Sequence, residues 1–552
     1  MLIIFGTTIV VLLPFISKAF HIDDPLFLWC AKQIQAHPLD FYGLTANWNG
    51  VEEPMYEINQ NPPLVSYYIA LAALFLGWSE PALHAAFLIP VVFLSIGIYR
   101  LARFFTPRAF LSALMAVATP AFIVSSTNVM CDILMVSFYA WAAVFWFEGM
   151  GKNKNGYFFL SSVMIALSSL TKYFGITMVP LLVVYTVLKN RKMDWRLFFL
   201  LFPICIMAVY QWMSITLYDV SLFSNAASYA IERGIADSPN QFFTKTMVGL
   251  SFCGGCLVVV FFYSYFLGYR LILLSLGSAA AVLVGATAFG GEASLYQNDS
   301  ARFVIFQFFL FVFVGFEIFF LAIADVYKTR NPESVFLLLW ITGTFVFSSH
   351  INWTINARTI LPMIPAVAIL LSRRIHGHRI FRDSKASWPA LVPLIPGIAV
   401  AFLVAWGDAS YADCQRKMAR YFHSGLQNYK YDVWFQGHWG FQYYMQEYGF
   451  RPLDYENSMV GSGDLIIIPK TNTGQVQLPL EKFTFLKKLD CLPLKWVSTL
   501  SSEKKAGFYS DTKTKLFLPF AFGEIAVEEY YVFIVDKIKD PEIFVRNLGG
   551  AI

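Results

Sequence analysis

The chain has 552 residues, 57% of them hydrophobic and only 14% charged, with a formal net charge of +5. Soluble domains carry nearer a quarter charged residues, so this composition belongs to a chain solvated largely by lipid. The small charge, with no basic run interleaved with aromatics, excludes nucleic acid as an expected partner.

The first apolar run, residues 1–17, lacks a basic segment ahead of it. Ser17-Lys18-Ala19 faintly resembles a cleavage site, but cutting there would untether the segment after it, so an uncleaved first helix is expected. That segment opens with His21-Ile22-Asp23-Asp24-Pro25, acidic where its neighbours are apolar. Adjacent carboxylates at the rim of a membrane segment are costly to place and mark a functional candidate. Further apolar runs of spanning length cover 82–99, 109–127, 132–149, 157–171, 174–188, 197–217, 247–267, 271–289, 303–325, 334–349, 359–372 and 388–406. The run Leu64–Gly77 is shorter and reads as an interfacial or re-entrant helix.

Positive charge resolves that ambiguity. If Leu64–Gly77 does not cross, the clusters at Arg100/Arg103/Arg108, Lys152/Lys154, Lys189/Arg191/Lys192/Arg196, Arg270, Lys328/Arg330 and Arg373/Arg374/Arg379/Arg382/Lys385 share one face. The positive-inside rule then gives about thirteen spans with a cytoplasmic amino terminus. Loops 20–81, 128–131, 171–173, 218–246, 290–302 and 350–358 fall on the outer face, with lone basic residues at Lys172, Arg233, Lys245, Arg302 and Arg358. Residues 1–406 thus form a transmembrane domain with an outer loop at 20–81. The tail, 407–552, is more polar and holds strand-like runs at 464–469 and 530–535 around a helical stretch near 440–448. A small extracytoplasmic α/β domain is expected there. Cys414 and Cys491 lie in it and could pair in an oxidising compartment, whereas Cys253-Gly-Gly-Cys256 reads as helix packing.

Five short motifs, in order, resemble a known group. Asp23-Asp24-Pro25 resembles the acidic loop of the protein-mannosyltransferase and aminoarabinose-transferase group, C-type membrane glycosyltransferases of family 39. Gln60-Asn61-Pro62-Pro63-Leu64-Val-Ser-Tyr67-Tyr68 resembles that group's Lys-Pro-Pro-Leu-Tyr-Tyr surface helix. Asp132 stands in the place of a second acid, Thr171-Lys172 matches the group's Thr-Lys turn, and Arg358-Thr-Ile-Leu-Pro-Met-Ile-Pro365 resembles its Arg-Tyr-Leu-Leu-Pro-Leu-x-Pro.

The resemblance implies transfer of a sugar from a polyprenyl-phosphate carrier to a lipid, glycan or protein acceptor outside the cytoplasmic membrane. Inverting transfer needs one base to take the acceptor hydroxyl proton, the role expected of Asp23. Asp24 and Asp132 would orient groups or steady positive charge. Lys172 and Arg358, with Arg302 as a third cation, would hold the leaving phosphate, and Asn61 and Tyr67 would contribute from the surface element.

Gln60 and Asn61 stand where lipid A-modifying relatives have Glu and Lys, so no metal site is implied and any cofactor is left unassigned. Glu52, Glu53, Glu57 and His350 could ligate a divalent ion but read more simply as solvated or hydrogen-bonded loop residues. His438, in an aromatic stretch, is a candidate sugar contact. The rival reading is a transporter or flippase of a lipid-linked sugar, with Glu148, Glu317 and Asp325 as relay acids near helix ends.

Overall fold

The computed structural model describes the chain except residues 235–237, 290–298, 379–387, 477, 479–481, 512–514, 537–541 and 544–552. Part of the expected 290–302 loop and the basic residues Arg379, Arg382 and Lys385 therefore lie outside the described residues. The apolar runs are all helical, but in different ways. Among the described residues eight helices have the length and apolarity to cross a membrane, or nine if one bent pair counts as a span. They are Glu80–Ala102, Cys131–Lys152, Tyr173–Asn190, Trp195–Tyr218, Arg302–Thr329, Pro332–Ile351, Ala357–His376 and Trp388–Leu426.

Most other expected spans are shorter or broken. The 109–127 run is two helices, Ala109–Val117 and Pro120–Ser126, bent by 65°. Pro120 opens the second helix, and Thr119 caps it by accepting the Phe122 N–H. The 247–267 run is Pro239–Cys256 followed by two single turns, Val259–Phe262 and Ser264–Leu267. Leu2–Phe15 and Asn155–Thr171 are of sub-spanning length, and Tyr269–Phe289 is a 21-residue helix. Length and hydropathy among the described residues thus account for eight or nine of the thirteen expected spans.

Leu64–Leu76 is a 13-residue helix, about 20 Å long against a hydrocarbon core of about 30 Å. It packs beside Asp24–Ala36, which begins with Pro25 in its first turn and buries Leu26, Phe27, Cys30 and Ile34. These two helices make a surface layer over one end of the bundle.

The tail starts as the continuation of a span. Leu394–Leu426 is one 33-residue helix that leaves the apolar region and carries Asp408 and Cys414. A five-stranded mixed sheet comes next, in the order Arg451–Pro452, Val433–Phe435, Leu465–Pro469, Glu528–Val535, Phe483–Cys491. The helix expected near 440–448 is Trp439–Glu447. Cys414 and Cys491 form a disulfide between the long helix and the sheet edge, with a Cα–Cα distance of 5.8 Å. Cys253 and Cys256 are buried free thiols in packing positions, beside a Gly254 that sits against the Phe311 backbone.

The tail does not merely rest on the bundle. Phe517 and Phe520 pack on Phe308 and Phe311 of the Arg302–Thr329 helix, with ring centroids 5.2 and 5.0 Å apart. Gln307 on that helix exchanges hydrogen bonds with the Phe522 backbone. Elsewhere, Trp439–Glu447 approaches the acidic loop so closely that a Cβ on Gly440 would collide with the Phe20 carbonyl oxygen.

Candidate active site

Two acid–cation pairs meet at one end of the bundle. Arg358 donates from Nη1 to Asp23 Oδ2 at 2.7 Å, and Lys172 donates from Nζ to Asp132 Oδ1 at 2.7 Å. The pairs adjoin, because Arg358 Nη1 also lies 3.2 Å from the Met130 sulfur, two residues before Asp132. Four residues spread over 335 positions of sequence are thereby gathered, as the shared-face reading of the loops requires.

Each side chain has a local reason for its place. Asp132 sits in the first turn of Cys131–Lys152, where the helix dipole favours an acid. Lys172 caps the C-terminal end of Asn155–Thr171, where it favours a cation. The turn after it folds back tightly: a Cβ on Gly175 would run into the Ser168 backbone, so only glycine fits. Arg358 is placed against the dipole, in the first turn of Ala357–His376, whose N-cap is Asn356 accepting the Thr359 N–H. A cation there needs an anion beside it, and Asp23 supplies one.

Asp23 and Asp24 are adjacent but do different things. The Asp23 side chain keeps 27% exposure and its contact is with Arg358. Asp24 is fully buried. Its Oδ2 accepts the His21 N–H and its Oδ1 the Val129 N–H, both at 2.8 Å, clasping the acidic loop to the 128–131 loop. Burial pushes its carboxyl up to about 7, although nearby Lys18 pulls the other way. Between His21 and Asp23, Ile22 has φ of 47°. A β-branched residue in the left-handed region is strained by about 1–3 kcal/mol, held by the clasp on either side of it.

Open valences remain around the pairs. Asp132 Oδ2 and Arg358 Nε are buried without a hydrogen-bond partner. The Arg358 side chain retains 13% exposure and Lys172 19%. Such polar atoms cost free energy unless water or a ligand completes them.

Residues 60–215 match a known family. Its model is described as dolichyl-phosphate-mannose-protein mannosyltransferase, and the match bears out the resemblance over a stretch holding Asn61, Tyr67, Asp132 and Lys172. No curated protein matches the chain. Among solved structures it is similar to ArnT from Cupriavidus metallidurans bound to undecaprenyl phosphate, at 13% identity and TM-score 0.48, covering 85% of this chain and 93% of that one. It is also similar to the Archaeoglobus fulgidus oligosaccharyltransferase tethered to an acceptor peptide, at 13% identity and TM-score 0.46, covering 84% of this chain. The chain spans 65% of that oligosaccharyltransferase. A third is the mycobacterial arabinofuranosyltransferase AftD, at 10% identity and TM-score 0.41, covering 98% of this chain and 40% of that one.

Other expected site residues lie apart from the two pairs. Arg302 is exposed near the start of its helix, and the acids Asp23 and Asp132 pair with Arg358 and Lys172 instead. Asn61 folds onto Asn59, and its carbonyl accepts the Tyr42 hydroxyl. Tyr67 donates to the Pro38 carbonyl at 2.5 Å. Both fasten the Leu64–Leu76 helix rather than touch the acids. Glu52 and Glu53 take hydrogen bonds from Thr45 and Asn49, and no group of three metal-ligating side chains occurs among the described residues. His350 stacks on Phe242 at 4.4 Å. His438 is buried, pairs with Gln442 and lies against Trp48, in the seam between the tail and the outer loop.

The sequence reading missed a sealed polar network directly behind the acidic loop. Lys18 Nζ donates to Asp408 Oδ2 at 2.6 Å and to Asn128 Oδ1, with both charged side chains fully buried. Thr499 and Tyr509 donate to the two Asp408 oxygens at 2.6 and 2.9 Å. His21 packs alongside, 3.7 Å from Asp408, and burial lowers its pKa to about 3, so it is neutral. The available signal was Lys18 itself, since a lysine flanked by apolar sequence needs a counter-ion.

Proposed function

We propose that this protein is an integral-membrane glycosyltransferase that moves a sugar from a polyprenyl-phosphate donor to an acceptor, with inversion, on the outer face of the cytoplasmic membrane. The observation that carries the reading is the convergence of Asp23–Arg358 and Asp132–Lys172 at one end of an apolar helical bundle. The family match over residues 60–215 supports it. The amino terminus is then cytoplasmic and the 407–552 domain extracytoplasmic, which accords with the Cys414–Cys491 disulfide.

Asp23, the accessible acid, takes the proton of the acceptor hydroxyl as its oxygen attacks the anomeric carbon. The bond from that carbon to the phosphate oxygen breaks, and the phosphate leaves with the electron pair. Arg358 and Lys172 meet this charge. Arg358 contacts Asp23; a donor phosphate competes for the guanidinium and frees the carboxylate oxygen to meet the acceptor hydroxyl. Asp132 keeps a free oxygen for the acceptor or for the positive charge that develops at the sugar. Asp24 shapes the loop and touches no reactant.

The relay alternative finds less support. Glu148 and Asp325 are ion-paired with Lys152 and Arg373 at 2.6 and 2.9 Å. Glu317, expected near a helix end, sits in the middle of its helix, hydrogen-bonded by Ser264. The test is turnover by purified protein supplied with labelled polyprenyl-phosphate sugars and with lipid, glycan and peptide acceptors. Transfer from one donor supports the assignment. Movement of the intact lipid-linked sugar across a bilayer with no transfer would overturn it.

A further inference from the structure

Arg358 is held from a direction the reaction does not require. Its guanidinium lies over the ring of Tyr509, 5.6 Å from the centroid, within the range where a cation is drawn to an aromatic face. Tyr509 belongs to the tail, 151 residues further along the chain, and is almost wholly buried. Its hydroxyl donates to Asp408 and accepts from Asn128 Nδ2, each at 2.9 Å. The ring is therefore pinned to the sealed Lys18–Asp408 pair on one side and presented to Arg358 on the other.

The same short segment also fixes the Arg358 backbone. Phe508 accepts the Ala357 N–H at 2.8 Å, and Asp511 donates its N–H to the Ile355 carbonyl at 2.9 Å. Asp511 Oδ1 accepts the Thr354 hydroxyl at 2.6 Å. Backbone and guanidinium of one residue are thus placed by one piece of the tail.

We propose that Tyr509 is a positioning residue for the phosphate of the lipid donor, acting through Arg358; this rests on the reading of Arg358 as a phosphate-binding cation. Arg358 must serve two anions in turn, Asp23 in the resting site and phosphate when donor is bound. A hydrogen-bonding fork is directional, whereas attraction to a ring face tolerates lateral movement. The ring lets the guanidinium pass from one anion to the other without losing its support, and keeps its long stem from exploring other rotamers.

Equilibrium binding of a labelled short-chain polyprenyl phosphate to full-length protein in lipid nanodiscs tests this without needing turnover. Tyr509→Met is expected to weaken binding about tenfold, and Tyr509→Phe, which keeps the ring, by no more than about threefold. In an Arg358→Gln background, Tyr509→Met should add less than about twofold, because the two changes remove one interaction. Should Tyr509→Met fail to fold, phenylalanines of increasing ring fluorination at 509 keep the shape while draining the ring face of charge, and affinity should fall step by step. A flat fluorination series, or an undiminished Tyr509→Met effect without Arg358, overturns the inference. If Arg358→Gln itself binds like wild type, the phosphate role of Arg358 falls first. Loss of affinity in Arg358→Gln with none in Tyr509→Met leaves that role standing and removes only Tyr509.

Discussion

Two ion pairs lie back to back behind and within the acidic loop, and they are built to opposite specifications. Lys18–Asp408 has no solvent exposure, and its atoms are saturated by Asn128, Thr127, Thr499 and Tyr509. Asp23–Arg358 is partly open and leaves Nε of the guanidinium without a partner. A completed buried pair can only hold chain segments together, because any new ligand would have to break it at full desolvation cost. An incomplete one can exchange partners. The difference separates scaffold charge from working charge more sharply than burial or residue type does.

Changing one member of each pair tests that division. Asp23→Asn is expected to reduce transfer about 10²–10⁴-fold while thermal stability in detergent stays within a degree or two of wild type; a large drop in stability would mean that the open pair is structural. Lys18→Met should instead destabilise by about 3–5 kcal/mol, since it leaves Asp408 buried and uncompensated, and Lys18→Met with Asp408→Leu should recover part of that loss. Chemical denaturation of the three proteins measures it, and a harmless Lys18→Met would break the comparison.

The seam at His438 extends the sealed side. Burial lowers its pKa from 6.5 to about 4, so the unfolded chain binds the proton first as pH falls. Stability from this group is complete above about 6.5 and is lost as pH drops towards 4, by up to about 3 kcal/mol. His438→Gln should flatten the acid limb of a stability–pH profile relative to wild type; an identical limb removes the claim. Asp24→Asn should cost about 1–3 kcal/mol, because an amide N–H₂ then faces one of two backbone donors. Transfer should fall with it as the Ile22 turn relaxes, read as lost activity in protein that still purifies folded.

Much of this was legible because membrane sequence is quiet. Against apolar runs, Asp23, Asp132, Lys172 and Arg358 stand out as charges at helix ends, and the positive-inside argument put them on one side from topology alone. The short Leu64–Leu76 helix was likewise readable from length alone. Helix breaks were not: Pro120 turns its run through 65°, while the breaks after Cys256 fall at Leu257, Tyr263 and Gly268, which an apolar window passes over. Nor was the sealed network. Lys18 looked like the flank of a weak cleavage pattern, Asp408 like the first polar residue after a span, and Tyr509 like one tyrosine among 28. Their meaning lies in pairings without local periodicity. Arg302 shows the converse, a cation expected on the outer face in a chain whose acids Asp23 and Asp132 pair elsewhere.

The separation between Lys18 and its counter-ion also sets an order of events in the cell. Asp408 is synthesised 390 residues after Lys18, roughly 20–80 s later at about 5–20 residues per second. During that interval the lysine has its neutral partners Thr127 and Asn128 and the Asp24 clasp to the 128–131 loop, but no counter-ion. The four candidate site residues are all synthesised before the segment that fixes Arg358 exists. On the proposed role of Tyr509, the candidate site is therefore incomplete until the last fifth of the chain has been made and folded back.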